Sequence, residues 1–242
     1  MLTATVLNPI FCAVDTPDLD AAKHLARDVR GLVGGLKLGL EFFTAHGPAG
    51  VRAVKDEGQP IFLDLKLHDI PNTVAGATRS AAMLGVDMLT VHGTGGPAML
   101  MAAVAAAREV AQPPKIIAVT VLTSLDEKDL DLMGIGRPVS EQVARLAVMA
   151  QEAGCDGVVC SPNEVSLLRA EVGPDFLLVV PGVRAAGADA DDQKRVATAG
   201  AAFKAGADVL VIGRGITAAP DRRAAAQSFF QEVAAARRAR AH

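Results

Sequence analysis

The sequence predicts an α/β fold, a (β/α)8 TIM barrel built as one domain over residues 1–242. Three observations carry that expectation. Short apolar runs alternate with Ala-rich stretches from end to end, and the runs are apolar on both faces, as strands of a covered parallel sheet are. A Gly-x-Asp punctuation recurs before three of the runs: Gly85-Val86-Asp87, Gly154-Cys155-Asp156 and Gly206-Ala207-Asp208. Each reads as a helix, a glycine terminator and then a buried strand. About eight such units fit a chain of roughly 250 residues. An open doubly wound sheet is the alternative. Against it, no G-x-G-x-x-G turn follows the first strand, which runs instead into Asp15-Thr16-Pro17.

The elements follow in order. Asn8 to Asp15 reads as the first strand, ending in an acid. Thr16-Pro17-Asp18 supplies a cap oxygen for a helix reaching about Val29. Gly34-Gly35 breaks it, and Leu36-Lys37-Leu38-Gly39 is a short second strand with its lysine inward or outward, followed by helix through Val54. The third strand starts at Ile61, and Pro71, suited to a first helical turn, opens a helix to Leu84. Strands follow at Met88 to Val91, Lys115 to Val121, Gly157 to Cys160, Phe176 to Val180 and Val209 to Ile212. Helices lie between them, among them Pro97 to Val110 and Val139 to Ala153. The cationic stretch Ala234 to Arg240 reads as a helix end whose charges favour the dipole.

Composition narrows the function classes. Half of the 242 residues are hydrophobic, ample for a large core, and the net charge of −3 comes from mixed signs. No nucleic-acid surface and no membrane patch is indicated. The first residues lack the basic region of a signal peptide, and no apolar run approaches the ~18 residues that span a bilayer. A soluble, cytoplasmic protein is expected. Cys12, Cys155 and Cys160 show no metal-ligand spacing and read as small buried hydrophobes. With neither Trp nor Tyr in the chain, no phenol or indole is available to a mechanism.

Chemistry gathers in one stretch, Ile61 to Thr73. Residues two apart on a strand share a face, so Asp64 and Lys66 point together while Leu63, Leu65 and Leu67 point away. Asp69 falls in the turn before Pro71. Two acids and one amine therefore meet at the end of a buried strand. A structural ion pair is the other reading, but buried pairs gain little over apolar packing, and such clusters favour sites. At a barrel mouth the remaining strand ends bring Asp15, Lys37, His92, Thr120, Thr123, Ser124, Arg184, Gly213 and Arg214 together. Gly213-Arg214-Gly215 reads as a phosphate turn, with backbone N–H groups and a guanidinium to hold an anion; an ordinary tight turn is the alternative. The polar loop from Arg184 to Gln193 reads as a lid or as a plain surface loop. His68 and His92 read as structural, and His24, His46 and His242 as surface or helix residues. No metal site is predicted.

The run Asp64-Leu65-Lys66-Leu67-His68-Asp69-Ile70-Pro71-Asn72-Thr73 resembles the D-x-K-x-x-D-I-P-x-T signature of the orotidine 5′-phosphate decarboxylase family. Ala13-Val14-Asp15, Leu36 to Gly39, Val119 to Ser124, Pro181 to Arg184 and Ile212-Gly213-Arg214 agree with it, from the first strand to the eighth. The resemblance implies a homodimer with shared active sites and no cofactor. It implies conversion of orotidine 5′-monophosphate to UMP and carbon dioxide in pyrimidine biosynthesis. By motif match, Lys66 is the proton donor and Asp64 lies beside the substrate carboxylate, while Asp69, Ile70 and Thr73 reach the neighbouring subunit's site. Asp15 and Lys37 match ribose contacts, Thr123 with Ser124 the pyrimidine contact, and Arg184, Gln193, Gly213 and Arg214 the phosphate group. Related barrels share the shorter D-x-K-x-x-D pattern, which makes a magnesium-dependent sugar-phosphate decarboxylase or aldolase the nearest alternative. A Schiff-base enzyme using Lys66 would need a neutral amine, which two flanking carboxylates oppose. A non-catalytic nucleotide-binding barrel would have no use for the Asp64–Lys66–Asp69 cluster.

Overall fold

A computed structural model describes residues 8–184 and 197–240. Its elements are β1 (Ile10–Val14), α1 (Leu19–Asp28), β2 (Gly35–Leu38), α2 (Leu40–Lys55), β3 (Ile61–Leu67), α3 (Pro71–Ala82), β4 (Met88–His92), α4 (Gly96–Ala107) and β5 (Lys115–Val119). They continue with α5 (Glu127–Leu132), α6 (Val139–Glu152), β6 (Gly157–Val159), α7 (Val165–Val172), β7 (Leu177–Val180), β8 (Val183–Arg184), β9 (Ala197–Thr198), α8 (Ala199–Ala205), β10 (Val209–Ile212), α9 (Arg214–Thr217) and α10 (Arg222–Arg240). Eight strands close into a barrel in the order β1-β10-β7-β6-β5-β4-β3-β2, with parallel pairing throughout. The TIM barrel expected from the alternating pattern is the observed fold.

Strand parity divides the core in two. Inward residues Phe11, Ala13, Phe62, Met88, Ile117, Val179, Val209 and Val211 fill the barrel, with Phe11 and Phe62 edge to face at 6.3 Å between ring centroids. Outward residues such as Ile10, Cys12, Leu36, Leu63 and Leu89 pack against the helical layer. All three cysteines are buried, and burial pushes the Cys12 and Cys155 thiols up to about 12. That suits their reading as hydrophobes rather than nucleophiles.

The Gly-x-Asp repeat has a structural purpose. Gly85, Gly154 and Gly206 have φ of +67°, +84° and +120°, a region side chains avoid, which lets each helix end turn sharply into the next strand. The aspartates then clamp the first residue of the preceding strand, or the one after it, from two sides. Asp87, Asp156 and Asp208 each accept a backbone N–H, from Ile61, Ile116 and Leu178, at 2.8 Å. Each also donates its own backbone N–H to the carbonyl of that same residue. These carboxylates therefore close the N-terminal end of the barrel, the end whose features serve stability. A cavity of about 990 Å³ opens there beside Phe11, Met88, Leu177 and Val209. The acids in its wall are already engaged with the backbone.

Element ends differ from the sequence reading where side chains intervene. β5 stops at Val119 rather than Val121, with both the N–H and the hydroxyl of Thr120 donating to the Val159 carbonyl, at 3.3 and 2.7 Å. Of the two cap oxygens the sequence offers, Asp18 is the one used in α1, accepting from Ala21 N–H at 2.9 Å. The short α5, with its Asp126 capping box, and the β8–β9 pair lie outside the strand-and-helix pattern read from hydrophobicity. No helix among the described residues is long and apolar enough to cross a membrane.

Candidate active site

The opposite, C-terminal end of the barrel gathers charge. Ala13, Lys37 and Phe62 are neighbours in register across β1, β2 and β3. One inward step higher lie Asp15, just past β1, and Asp64 on β3. Lys37 therefore rises between two acids, with its Nζ 3.5 Å from Asp15 Oδ1 and 3.5 Å from Asp64 Oδ2. Lys66 Nζ donates to the same Asp64 Oδ2 at 2.9 Å. The four side chains form an alternating array, Asp15–Lys37–Asp64–Lys66, that runs from exposed to buried and out again. Gly39 sits against it: a Cβ there would lie 3.2 Å from Lys37 Nζ and 3.6 Å from Asp15 Oδ1. A Cβ on Gly213, at the end of β10, would lie 3.7 Å from Asp15 Oδ2, which brings the Gly213–Arg214 turn to the same rim.

Asp64 is the centre of the array. Burial alone would push its carboxyl up, but the Lys37 and Lys66 ammonium groups, with hydrogen bonds from Lys66 and Thr90, hold it below the ordinary carboxylate value. It is therefore an anion at neutral pH despite being 9 % exposed.

The shared face of Asp64 and Lys66 has a different origin from a regular strand. Leu63 pairs with Leu89, but Leu67 pairs with Val91, so four residues of β3 advance against two of β4. The excess is taken up in a bulge, and Lys66 has φ of +51°, the one positive value outside glycine among the described residues. Leu65 and Leu67 still pack outward on the helical layer, as the alternation predicts.

Asp69 does not join this array within the chain. It is exposed, and its Oδ1 accepts the Ile70 N–H at 2.7 Å. The second charge flanking Asp64 is Lys37, so the site holds two amines and two acids where the β3 stretch alone suggested two acids and one amine. Ile70 is 67 % exposed and Thr73 lies on the exposed first turn of α3. Thr123 is half-buried and Ser124 exposed, both just beyond β5. Arg184, on β8 beside β10, is buried, and its Nε has no hydrogen-bond partner among the described residues. Arg214 opens α9 and is exposed. Gln193, with the loop read as a lid, lies outside the described residues.

His68 and His92 stack with ring centroids 5.2 Å apart and planes 16° apart. His92 caps the turn Gly93–Gly95, its Nδ1 accepting from Thr94 N–H and lying 2.7 Å from Thr94 Oγ1. Burial, then His68 and Lys66, hold it below the usual imidazole value, so it is neutral near pH 7. Among the described residues, no three His, Cys, Asp or Glu side chains group as a metal site would require.

The sequence reading passed over Thr90. It lies on β4 with the inward parity of Met88 and His92, and it is fully buried. Its hydroxyl donates to Asp64 Oδ1 at 2.9 Å and accepts the Lys66 N–H at 2.8 Å. The available signal was a hydroxyl at an inward position of an otherwise apolar run.

Comparison with known proteins identifies the family. The model of the "Orotidine 5'-phosphate decarboxylase / HUMPS family" matches residues 8–229. A protein named orotidine 5′-phosphate decarboxylase from Paramagnetospirillum magneticum is 54% identical over 233 residues, 94% of this chain and 99% of its own. One of the same name from Moorella thermoacetica is 54% identical over 239 residues, covering 96% of this chain and 95% of its own. The crystal structure of orotidine 5′-phosphate decarboxylase from Lactobacillus acidophilus superposes with a TM-score of 0.81 at 36% identity, over 93% of this chain and 99% of that one. With a family model spanning nearly every described element and relatives above half identity along their whole length, this chain belongs to the orotidine 5′-phosphate decarboxylase / HUMPS family.

Proposed function

We propose that this protein, acting as one barrel domain in the cytoplasm, decarboxylates orotidine 5′-monophosphate to UMP and carbon dioxide, a step of pyrimidine biosynthesis, without metal or cofactor. The observation that carries this reading is the alternating Asp15–Lys37–Asp64–Lys66 array at the mouth. Cleavage of the C6–carboxylate bond leaves its electron pair on the ring carbon. A fixed ammonium group nearby stabilises that charge most where water is excluded. Lys66 supplies the charge and then the proton, which passes from Nζ to C6; the resulting amine regains a proton from solvent. Asp64 keeps Lys66 charged in a partly buried place and repels the substrate carboxylate until it departs.

The other positions take roles by motif match and placement. Asp15 and Lys37 hold the ribose hydroxyls. Thr123 and Ser124 meet the pyrimidine. Arg184, whose buried Nε is without a partner among the described residues, joins Gly213 and Arg214 around the phosphate, and Gln193 takes a role there by motif match alone. That group is remote from the reacting bond, so its binding energy serves to order the site. Asp69, Ile70 and Thr73 point away from their own array, which suits a contribution to a second subunit's site in a homodimer. Exposed Ile70, Met83 and Met101 around α3 and α4 supply apolar surface for such an interface.

The test is to follow the absorbance of orotidine 5′-monophosphate with purified protein treated with EDTA. Loss of the substrate band with UMP formed supports the reading. No turnover refutes it, and activity that returns only with magnesium favours the sugar-phosphate alternative.

A further inference from the structure

The charged array depends on a backbone that L-residues rarely adopt. Lys66 at φ +51° is strained, and such a conformation persists only where its surroundings over-determine it. The bulge also takes the Lys66 N–H out of the β3–β4 ladder, which resumes only at Leu67. A partly buried N–H without a partner would add a further penalty.

One side chain answers both demands. Thr90 Oγ1 accepts the Lys66 N–H at 2.8 Å and donates a hydrogen bond to Asp64 Oδ1 at 2.9 Å. Asp64 Oδ2 in turn accepts from Lys66 Nζ at 2.9 Å. The result is a closed ring: Lys66 backbone to Thr90 hydroxyl, hydroxyl to carboxylate, carboxylate to Lys66 ammonium. With its single proton donated and a lone pair occupied, the hydroxyl has its direction dictated at both ends. Thr90 is fully buried, and its β-branched side chain is stiff at χ1, so the oxygen is held from below by the barrel core.

We infer that Thr90 is the positioning residue of the site: its hydroxyl holds the Lys66 bulge and one oxygen of Asp64, and so aims the ammonium group into the mouth. It touches no reacting atom. This rests on the proposed decarboxylation for its kinetic consequence, but not for its structural one. The charged groups facing Asp64 are Lys37 from β2 and Lys66 from its own strand; Thr90 is the neutral donor from β4. A pure packing role for Thr90 would be met equally by valine, which has the same shape and no hydroxyl.

The test compares Thr90→Val with Thr90→Ser. Thr90→Val is expected to lower kcat about a hundredfold with KM within threefold of the unaltered protein, and Thr90→Ser to restore kcat to within about fivefold. Independently of turnover, carbon NMR titration of the Asp64 carboxyl is expected to move to higher pH in Thr90→Val and to stay in place in Thr90→Ser. Should Thr90→Val not fold, Thr90→Ser and Thr90→Cys, close in size but unequal as hydrogen-bond partners, give the same contrast, with the cysteine variant impaired. Equal kcat for Val and Thr, or for Cys and Ser, overturns the assignment, as does an unmoved Asp64 titration. If the unaltered protein does not turn over orotidine 5′-monophosphate, the functional reading falls while the titration still decides the place of Thr90.

Discussion

On the proposed decarboxylation, replacing Lys66 by alanine removes one charge and one proton from the reaction. A unit charge about 4 Å from the developing carbanion contributes ~4 kcal/mol at an effective dielectric of 20. At ~1.4 kcal/mol for each tenfold in rate, that is about 10³. Loss of a positioned general acid removes a further ~10² to 10⁴. Lys66→Ala should therefore lower kcat by at least ~10⁵. UMP binding should survive, because Arg184 on β8 and the Gly213–Arg214 turn into α9 belong to other elements. Stability should change little. Lys66 is 31 % exposed at its side chain, and Asp64 keeps Lys37 at 3.5 Å and the Thr90 hydroxyl at 2.9 Å. A cost of about 1–2 kcal/mol is expected, below the ~3–5 kcal/mol of a fully buried broken pair. The assay is loss of substrate absorbance, with UMP affinity by calorimetry and a thermal melt beside it. Turnover within tenfold of the unaltered protein would refute the role of Lys66. Lost activity together with a collapsed melting transition would show that the ion pair serves the fold instead.

Further outcomes follow from the same geometry. Gly39→Ala places a Cβ 3.2 Å from Lys37 Nζ and should raise KM several-fold in steady-state assays with the thermal midpoint nearly unchanged. Asp64 is held below the ordinary carboxylate value, so its stabilisation is complete above pH ~4 and is lost as pH falls through its lower folded value. Urea unfolding of the unaltered protein and Asp64→Asn should accordingly differ by a constant amount above pH ~4 and converge in stronger acid. Asp156→Ala, at the far end of the barrel, should cost about 1.5–3 kcal/mol in the same unfolding experiment and leave kcat and KM in place. Mixing Lys66→Ala with Asp69→Ala protein, each inactive alone, should restore activity through hybrid dimers with one intact site; no recovery after confirmed subunit exchange would place Asp69 outside the neighbouring site.

The legibility of this molecule in its sequence is uneven for physical reasons. Strand and helix order was readable because each strand is covered on both faces, so that unbroken apolar runs mark it. Asp15 and Asp64 were readable because they stand at strand ends on one rim; Lys37 was readable on its strand, but only the register with Ala13 and Phe62 turns it inward. Thr90 was not, since a threonine within a β-rich run satisfies β-propensity before it suggests a hydrogen bond. The Lys66 bulge was hidden as well: an alternating stretch carries no mark of where its ladder breaks, and the two-residue excess over β4 exists only in the pairing. Asp69 lies close to Lys66 in sequence but is carried away by the turn into α3, so its nearness along the chain overstated its nearness in space.

The two ends of the barrel show why a buried or half-buried aspartate is not in itself a sign of chemistry. Asp87, Asp156 and Asp208 each accept a backbone N–H at 2.8 Å, a donor that cannot leave, and where a cation joins it, Lys115 on Asp156 and Arg169 on Asp208, the carboxylate is still pinned by the backbone. Asp64 faces two ammonium groups, which are mobile, charged and able to transfer a proton. The partner decides what the carboxylate can do. Spacing in the sequence separates the cases: an acid directly after Gly-x and before an apolar run is clamped by a backbone N–H, with or without a cation beside it, whereas an acid that interrupts the apolar run two residues before a lysine is held by side chains. On that argument, Asp156→Asn should behave as a weakened clamp and Asp64→Asn as a disarmed site. Asp156→Asn can still accept the Ile116 N–H and should retain turnover at reduced stability. Asp64→Asn leaves Lys37 and Lys66 without the anion between them and should lose turnover before it loses the fold. The reverse pattern in a paired melt and rate measurement would refute the division between the two ends.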